Sequence, residues 1–363
     1  MSYDLSRLSR IWLRCAPIGA WNRLDEIVRR LGGAQALWNA FTPAYYQTLG
    51  AEAFSLLADL RANRLCHVLR QMEACGVRAV FPEDAEYPDP LRQIPDPPAV
   101  LFVQGRLPPG DTPAVAIVGS RRSTRYGSSQ AGKIAGDLAR QGVVVVSGLA
   151  KGIDAAAHQG ALAAGGATIG VLGSGHAHFY PVENRDLAAR MVAQGGAVIS
   201  EFPPDAPPLP YHFPVRNRII SGLSGGVLLI EAMEKSGTHA TINHALSQGR
   251  EIFALPGNVD APGSELPLKL LHEGAWLCTC AEDVLSAMRW VVPPPRQCSL
   301  LSEAPEEEDD PILAALALEE KTLEELIAET GLDAGEIGTR LTLLELSGQV
   351  ERRAGRAYAR MKA

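Results

Sequence analysis

The stretch AVAIVGSRRSTRYGSSQAGKIAGDLARQGVVVVSGLAKGIDAAAHQGALAAGGATIGVL, residues 114–172, decides the fold. It holds three apolar runs, at 114–118, 143–147 and 168–172, each short for a helix and suited to a strand buried on both faces. The segments between them, 127–141 and 154–164, place apolar residues at helical spacing. Strands joined through helices run parallel, and the helices cover both faces of the sheet. The alternation continues with strands at 197–200, 227–230 and 251–254 and helices at 183–193 and 237–248. The expected class is therefore α/β, a doubly wound Rossmann-like parallel sheet, whose ligands bind at the carboxyl ends of the strands.

On the amino-terminal side, residues 1–80 read as a small helical domain. Leu5, Leu8, Ile11 and Leu13 begin one helix, Leu24, Ile27, Val28 and Leu31 continue to Gly32-Gly33, and a longer helix spans 55–75. Nothing in it carries chemistry; a helix-hairpin-helix-like contact with DNA is the alternative to an adaptor. Residues 81–111 are proline-rich with one strand at 99–103, and with the sheet they make an extended Rossmann-like domain over 81–292. A proline-rich and then acidic linker follows at 293–311. Helical patterns at 312–318, 323–330 and 334–347, then two strand-like arms around Ala354-Gly355, predict a winged helix over 312–363.

With 363 residues, 21% charged and 46% hydrophobic, the chain can bury sizeable cores and is not disordered as a whole. No apolar run reaches the roughly 18 residues of a membrane span. The opening MSYDLSRLSRIWLRCAPIGAW lacks a secretory apolar core and cleavage site, so the expected location is cytoplasmic and no membrane partner is expected. The six cysteines form no C-x-x-C pair and no finger spacing, so reduced thiols without structural zinc are expected. A net charge of −7 argues against coating nucleic acid with the whole surface, but local patches decide phosphate binding.

Small residues follow the strands: Gly119-Ser120-Arg121 after the first, Ser147-Gly148 and then Lys151 after the second, Gly173-Ser174-Gly175 after the third. They let backbone N–H groups and helix N-termini approach a phosphate. G-x-G-x-x-G and G-x-x-x-x-G-K-[ST] are both missing, so no dinucleotide or ATP cofactor is expected. What remains is a phosphate-friendly rim with cations: Arg121, Arg122 and Arg125, Lys151, and Arg216 and Arg218. Tyr126, Tyr180 and Phe213 are available to stack bases, and cations along a groove with stacking aromatics suit a sequence-tolerant single-strand binder. Ion pairs with Glu183, Glu201 and Glu231 are the alternative use of these cations. Asp154 reads as an N-cap bonded to His158, and Glu231 as the partner of an arginine rather than a general base.

Further motifs carry a resemblance. YPDPLRQIPDPPAVLFVQG (87–105), AIVGSRRSTRYG (116–127), VVSGLAKGIDAAAHQGAL (145–162), VLGSG (171–175), YPVEN (180–184), ISEFPP (199–204), FPVRNRIISGLS (213–224), SGTHAT (236–241) and GREIFALPGN (249–258) resemble, in order, the DNA-processing protein A family, also called Smf. The resemblance implies a non-catalytic protein that binds and protects single-stranded DNA, dimerises through the Rossmann-like domain and loads RecA during natural transformation. It implies that Gly119, Ser120 and Arg121 form a phosphate-binding turn, that Phe213 stacks on or wedges a base, and that Arg216, Asn217 and Arg218 line the groove. The basic residue the family often has before the F-P pair is replaced here by Pro210-Tyr211-His212. The winged helix, with an acidic body and a basic wing (Arg352, Arg353, Arg356), reads as a partner-binding module, with an accessory contact to duplex DNA as the alternative. For the dimer, the apolar residues of 252–276 (Phe253, Leu255, Leu266, Leu268, Leu270, Leu271) offer a sheet edge and a helix face, with burial in the core as the alternative. The rival is a Rossmann-fold nucleotide phosphoribohydrolase, whose P-G-G-x-G-T-x-x-E resembles Lys235–Thr241 without the glutamate.

Overall fold

The computed structural model describes residues 3–290, 311–316, 320–346, 350–352 and 357–360. Of the expected linker at 293–311 only Pro311 is described, and it begins a helix rather than ending an extended segment; the rest of the linker and the expected hairpin tip at Ala354-Gly355 lie outside the described residues. The chain divides into two compact units, Met1–Pro295 and Arg296–Ala363.

The first unit opens with α1 (Leu5–Arg14), α2 (Trp21–Leu31), α3 (Ala34–Ala40), α4 (Tyr46–Leu49), α5 (Ala51–Asp59) and α6 (Leu65–Ala74). A π-helical turn, Leu60–Arg64, joins α5 to α6, so the expected long helix is helical throughout but carries one widened turn. Asp4 caps α1 by accepting from the Arg7 N–H, and α2 ends on Gly32 at φ 82°. These helices bury Trp12, Leu24, Leu37 and Leu57 against Val77, Ala79 and Phe102 of the neighbouring sheet and Phe202, which follows one of its strands. The boundary expected at residue 80 is corrected accordingly: Val77–Val80 is a strand of that sheet, and the helices form a layer on it.

The sheet contains β1 (Val77–Val80), β2 (Leu101–Gly105), β3 (Ala114–Val118), β4 (Val144–Ser147), β5 (Thr168–Val171), β6 (Ala197–Ser200), β7 (Gly226–Leu229), β8 (Glu251–Ala254) and β9 (Trp276–Leu277). The short α7 (Asp89–Arg92) lies between β1 and β2. The larger helices are α8 (Arg125–Arg140), α9 (Ile153–Ala163), α10 (Arg185–Ala193), α11 (His212–Gly222), α12 (Thr238–Ser247), α13 (Glu265–His272) and α14 (Ala281–Met288). The strand order is β1-β2-β6-β5-β4-β3-β7-β8-β9. From β3 to β9 all pairs are parallel, as expected, whereas β2 runs antiparallel to β6 and β1 antiparallel to β2. The sheet is thus mixed.

Alternation along β3 shows the double winding. Val115 and Ile117 pack with Ile134 and Leu138 of α8 and Ile153 and Ala157 of α9, whereas Ala116 and Val118 pack with Ile219 and Ile220 of α11 and Ile242 of α12. A Cβ on Gly160 would overlap the Gly132 backbone, so α8 and α9 approach more closely than larger residues allow. The helical layer reaches α11 through a ring stack: Trp21 lies 5.5 Å from Phe202, and Phe202 lies 4.0 Å from His212. Phe253, Leu255, Leu266 and Leu270 are all buried, so the core absorbs most of the apolar residues expected at a dimer interface. Trp276 and Leu277 of β9 remain 50% and 56% exposed at the sheet edge.

Among the described residues the second unit contains α15 (Pro311–Ala315), β10 (Lys321–Thr322), α16 (Leu323–Thr330), α17 (Ala334–Leu346), β11 (Val350–Arg352) and β12 (Ala357–Arg360), a winged helix around Ile312, Leu326, Ile337 and Leu341. Thr322 and Glu325 form a reciprocal capping box at the start of α16. Among the described residues no helix is long and apolar enough to cross a membrane, and no group of His, Cys, Asp and Glu side chains could hold a metal ion.

Candidate nucleic-acid interface

The chain leaves β3 for β4, β5 and β6 on one side and returns to β7 on the other. A crevice opens at such a reversal, beyond the carboxyl ends of the strands. Here it is a cavity of about 680 Å³, walled by Val118, Gly119, Ser120 and Arg121 after β3, Ala150 and Asp154 after β4, Met233 after β7, and the start of α12. Ser120 is held on both sides: its N–H donates to the Glu231 carbonyl at 2.7 Å, and its own carbonyl accepts from the Ile153 N–H at 3.2 Å. Gly152 has φ 78°, and a side chain there would strike the Ser120 carbonyl, so the two loops meet only because this residue is glycine.

One wall is α11, which contributes Phe213, Pro214, Arg216, Asn217 and Ile220. A smaller neighbouring cavity of about 60 Å³, lined by Gly148, Lys151 and Pro181 among others, shares Arg121, Ala150, Tyr180, Phe213 and Arg216 with the larger. The Arg121 guanidinium lies 5.5 Å from the Phe213 ring centre and that of Arg216 5.9 Å. Tyr180 meets the same ring edge to face at 6.0 Å. A base entering here meets two aromatic rings and a phosphate meets two guanidinium groups, with the Gly119–Arg121 backbone at hand.

The cations differ in their freedom. Arg216 is buried, donating from Nη1 to the carbonyls of Gly148 (2.9 Å) and Val171. Burial lowers its pKa to about 10, with Asp154 opposing and Arg121 reinforcing the shift, so it stays charged at neutral pH. Asp154 accepts from the N–H groups of Gly148 (3.1 Å) and Ala150 (3.3 Å); burial raises its pKa and Arg216 opposes the rise. Arg121 is exposed and lines both cavities. Lys151, on the small cavity, pairs with Glu183 at 2.5 Å.

Gly119, Ser120, Arg121, Gly148, Lys151, Phe213, Arg216 and Asn217 thus gather around the two cavities. The other expected residues are placed differently. Arg218 lies off the cavity walls, buried in a two-pronged pair with Glu201 (2.7 and 2.9 Å) and bonded to Asp96 at 3.1 Å, because residues two apart on a helix face nearly opposite ways. Ser147 is wholly buried and donates to the Ile117 carbonyl at 2.6 Å, tying β4 to β3. Arg125 starts α8 and, like Arg122, is exposed away from the cavity walls. Tyr126 is also off the walls and donates to the Pro256 carbonyl at 3.1 Å. Glu231 bonds Thr124 rather than an arginine, and His158 faces Thr168 at 2.7 Å rather than Asp154. Ser236, Gly237, Thr238 and Thr241 line the cavity and were missed as site residues. Their signal was topological: α12 follows β7, the strand at which the order reverses.

A family model described as DNA recombination-mediator protein A matches residues 78–289, and one described as DprA winged helix domain matches residues 294–356. The chain is 42% identical over 293 residues to Protein Smf of Escherichia coli strain K12, spanning 78% of this chain and 77% of that protein. The X-ray structure of DNA processing protein A from Streptococcus pneumoniae matches with a TM-score of 0.64 at 32% identity, covering 79% of this chain and 98% of that one. A structure of DNA processing protein A from Helicobacter pylori, concerned with that protein's single-stranded DNA binding mode, matches with a TM-score of 0.53 at 29% identity, covering 59% of this chain and 97% of that one. With both units matched in order and a relative this similar over most of its length, the chain belongs to the DNA recombination-mediator protein A family, DprA or Smf.

Proposed function

We propose that this protein is a cytoplasmic, non-catalytic binder of single-stranded DNA that protects incoming strands and loads RecA onto them during natural transformation. The observation that carries this reading is the pair of adjoining cavities, with Phe213 between them and Arg121 and Arg216 against its ring. A strand threaded from the larger cavity into the smaller would set its phosphates on Gly119–Arg121 and pass a base against Phe213 and Tyr180. Such stacking is indifferent to sequence and excludes a paired duplex, whose bases already stack on each other. The Helicobacter pylori relative, which has a single-stranded DNA binding mode, supports the same use of the fold. Two copies joined at the β9 edge, where Trp276 and Leu277 are exposed, would place two such grooves on one particle and tighten binding to a strand long enough to reach both.

Thr241 stands where the phosphoribohydrolase motif carries its glutamate, so no base release from nucleoside monophosphates is expected. Gel shifts with single- and double-stranded probes across a salt series test the central reading. Preference for the single strand, weakening with salt, is expected. Equal affinity for the two at moderate salt would sink it. RecA loading is tested separately, by whether the protein accelerates RecA assembly on strands already coated by a single-strand binder.

A further inference from the structure

We propose that Glu231 is a positioning residue for strand binding: its carboxylate clamps the start of α8 and so fixes the loop that aims Arg121 at the cavity. This rests on the single-strand reading above. Glu231 follows β7, is 6% exposed and lies outside the cavity walls, so it touches no bound strand. Its Oε2 accepts from the Thr124 N–H at 2.8 Å and its Oε1 from the Thr124 hydroxyl. That hydroxyl in turn accepts from the Gly127 N–H at 3.0 Å, completing the α8 cap. The backbone carbonyl of Glu231 accepts from Ser120 at 2.7 Å. One residue therefore holds both ends of the loop from Ser120 to Thr124, and Arg121 lies between the two anchors.

The surroundings are shaped to this carboxylate. A Cβ on Gly127 would overlap it, so the helix can reach it only with glycine at that position. The α8 N-terminus, where backbone N–H groups point outward, favours a negative charge. Both carboxylate oxygens are engaged by Thr124. Restricting the loop before a strand arrives lowers the ordering cost of the Arg121 contact.

The sign of the effect distinguishes positioning from simple charge. A buried anion near a groove for a polyanion opposes binding through its field, so removing it would tighten binding if field alone mattered. Positioning requires the reverse. The test uses the full chain and a dye-labelled oligothymidylate of about 20 nucleotides, long enough to fill such a groove, with fluorescence anisotropy read across a salt series. Glu231→Gln is expected to weaken binding about fivefold to tenfold by losing charge-assisted bonds. It should also flatten the salt dependence by about 0.7 in log–log slope, the share of one single-strand phosphate contact. In an Arg121→Ala background the same substitution should cost under about twofold, since residues acting through one contact are not additive. Thr124→Val, which removes one of the clamped donors, should repeat the loss of slope and carries the test alone if Glu231→Gln does not fold. Unchanged or tighter binding, or an equal loss in the Arg121→Ala background, overturns the clamp. A wild type that does not bind the oligothymidylate overturns the reading beneath it.

Discussion

Replacing Arg121 and, separately, Arg122 by alanine isolates the contact on which the proposed strand path depends. The two are adjacent and both exposed, so they contribute the same net charge. Only Arg121 lines the cavities and lies over Phe213, at 5.5 Å. A charge-assisted contact to phosphate contributes about 1.5–3 kcal/mol. Because Arg121 is solvent-exposed, the lower part of that range applies, about 1.5–2 kcal/mol, or about 10- to 30-fold in Kd at about 1.4 kcal/mol per decade. Arg122 acts only through its field, which salt screens over about 8 Å at physiological ionic strength, so its removal should cost under about threefold. The assay is anisotropy with a labelled oligothymidylate at physiological salt, with thermal unfolding to show that both variants are folded. Equal losses for the two would show that charge density rather than a placed guanidinium drives binding, and would refute this placement of the groove.

Three further outcomes follow from the same geometry. Phe213→Ala should weaken single-strand binding by about 1–3 kcal/mol while leaving any duplex affinity nearly unchanged, read by parallel titrations of the two probes. Arg218→Ala should leave Glu201 buried without its partner and destabilise the fold by about 3–5 kcal/mol in urea titration, with under about threefold change in affinity for the fraction still folded. Stability should fall as pH drops below about 6.5: burial lowers the folded-state pKa of His158 to about 3 and of His176 to about 4, so the unfolded chain binds those protons first, at about 1.4 kcal/mol per pH unit for each residue. Burial lowers the pKa of His212 and His244 as well, with the same sign. Urea midpoints at about pH 7.5 and 5.5 measure the sum, and a His158→Gln variant should lose only the His158 share, about 1.4 kcal/mol.

The sheet was legible where both of its faces are covered. Residues 114–118, 197–200 and 251–254 are strands at the expected bounds because short, mainly apolar runs alternating with helical segments suit strands covered on both faces. Among the elements that stayed hidden, two show why. The strand Val77–Val80 is four residues long and follows a helix after the single turn at Gly76, so it reads as the helix's tail. The helix His212–Gly222 contains a proline and ends on a glycine, and its buried set includes Arg216 and Arg218, so its sequence shows no apolar stripe to announce a helix.

That hidden helix also governs how much of the site could be read. The stretch FPVRNRIISG shows two arginines two residues apart, and without a helix both can be assigned to one groove. At 100° per residue they diverge. Phe213, Arg216, Asn217 and Ile220, spaced i, i+3, i+4 and i+7, share one face, and these four line the cavity. Arg218 falls on the opposite side, where Glu201 meets it after β6. The partners that decide the remaining roles are distant in the chain: Glu231 meets Thr124 across 107 positions, and Arg216 meets Gly148 across 68. Spacing along one sequence carries no record of such pairs, whereas small residues after strands do mark where a backbone must be approached closely. The legible part of the site is therefore its backbone crest of Gly119, Ser120 and Gly148, and the charges around it acquire roles only when the sheet order places β7 beside β3.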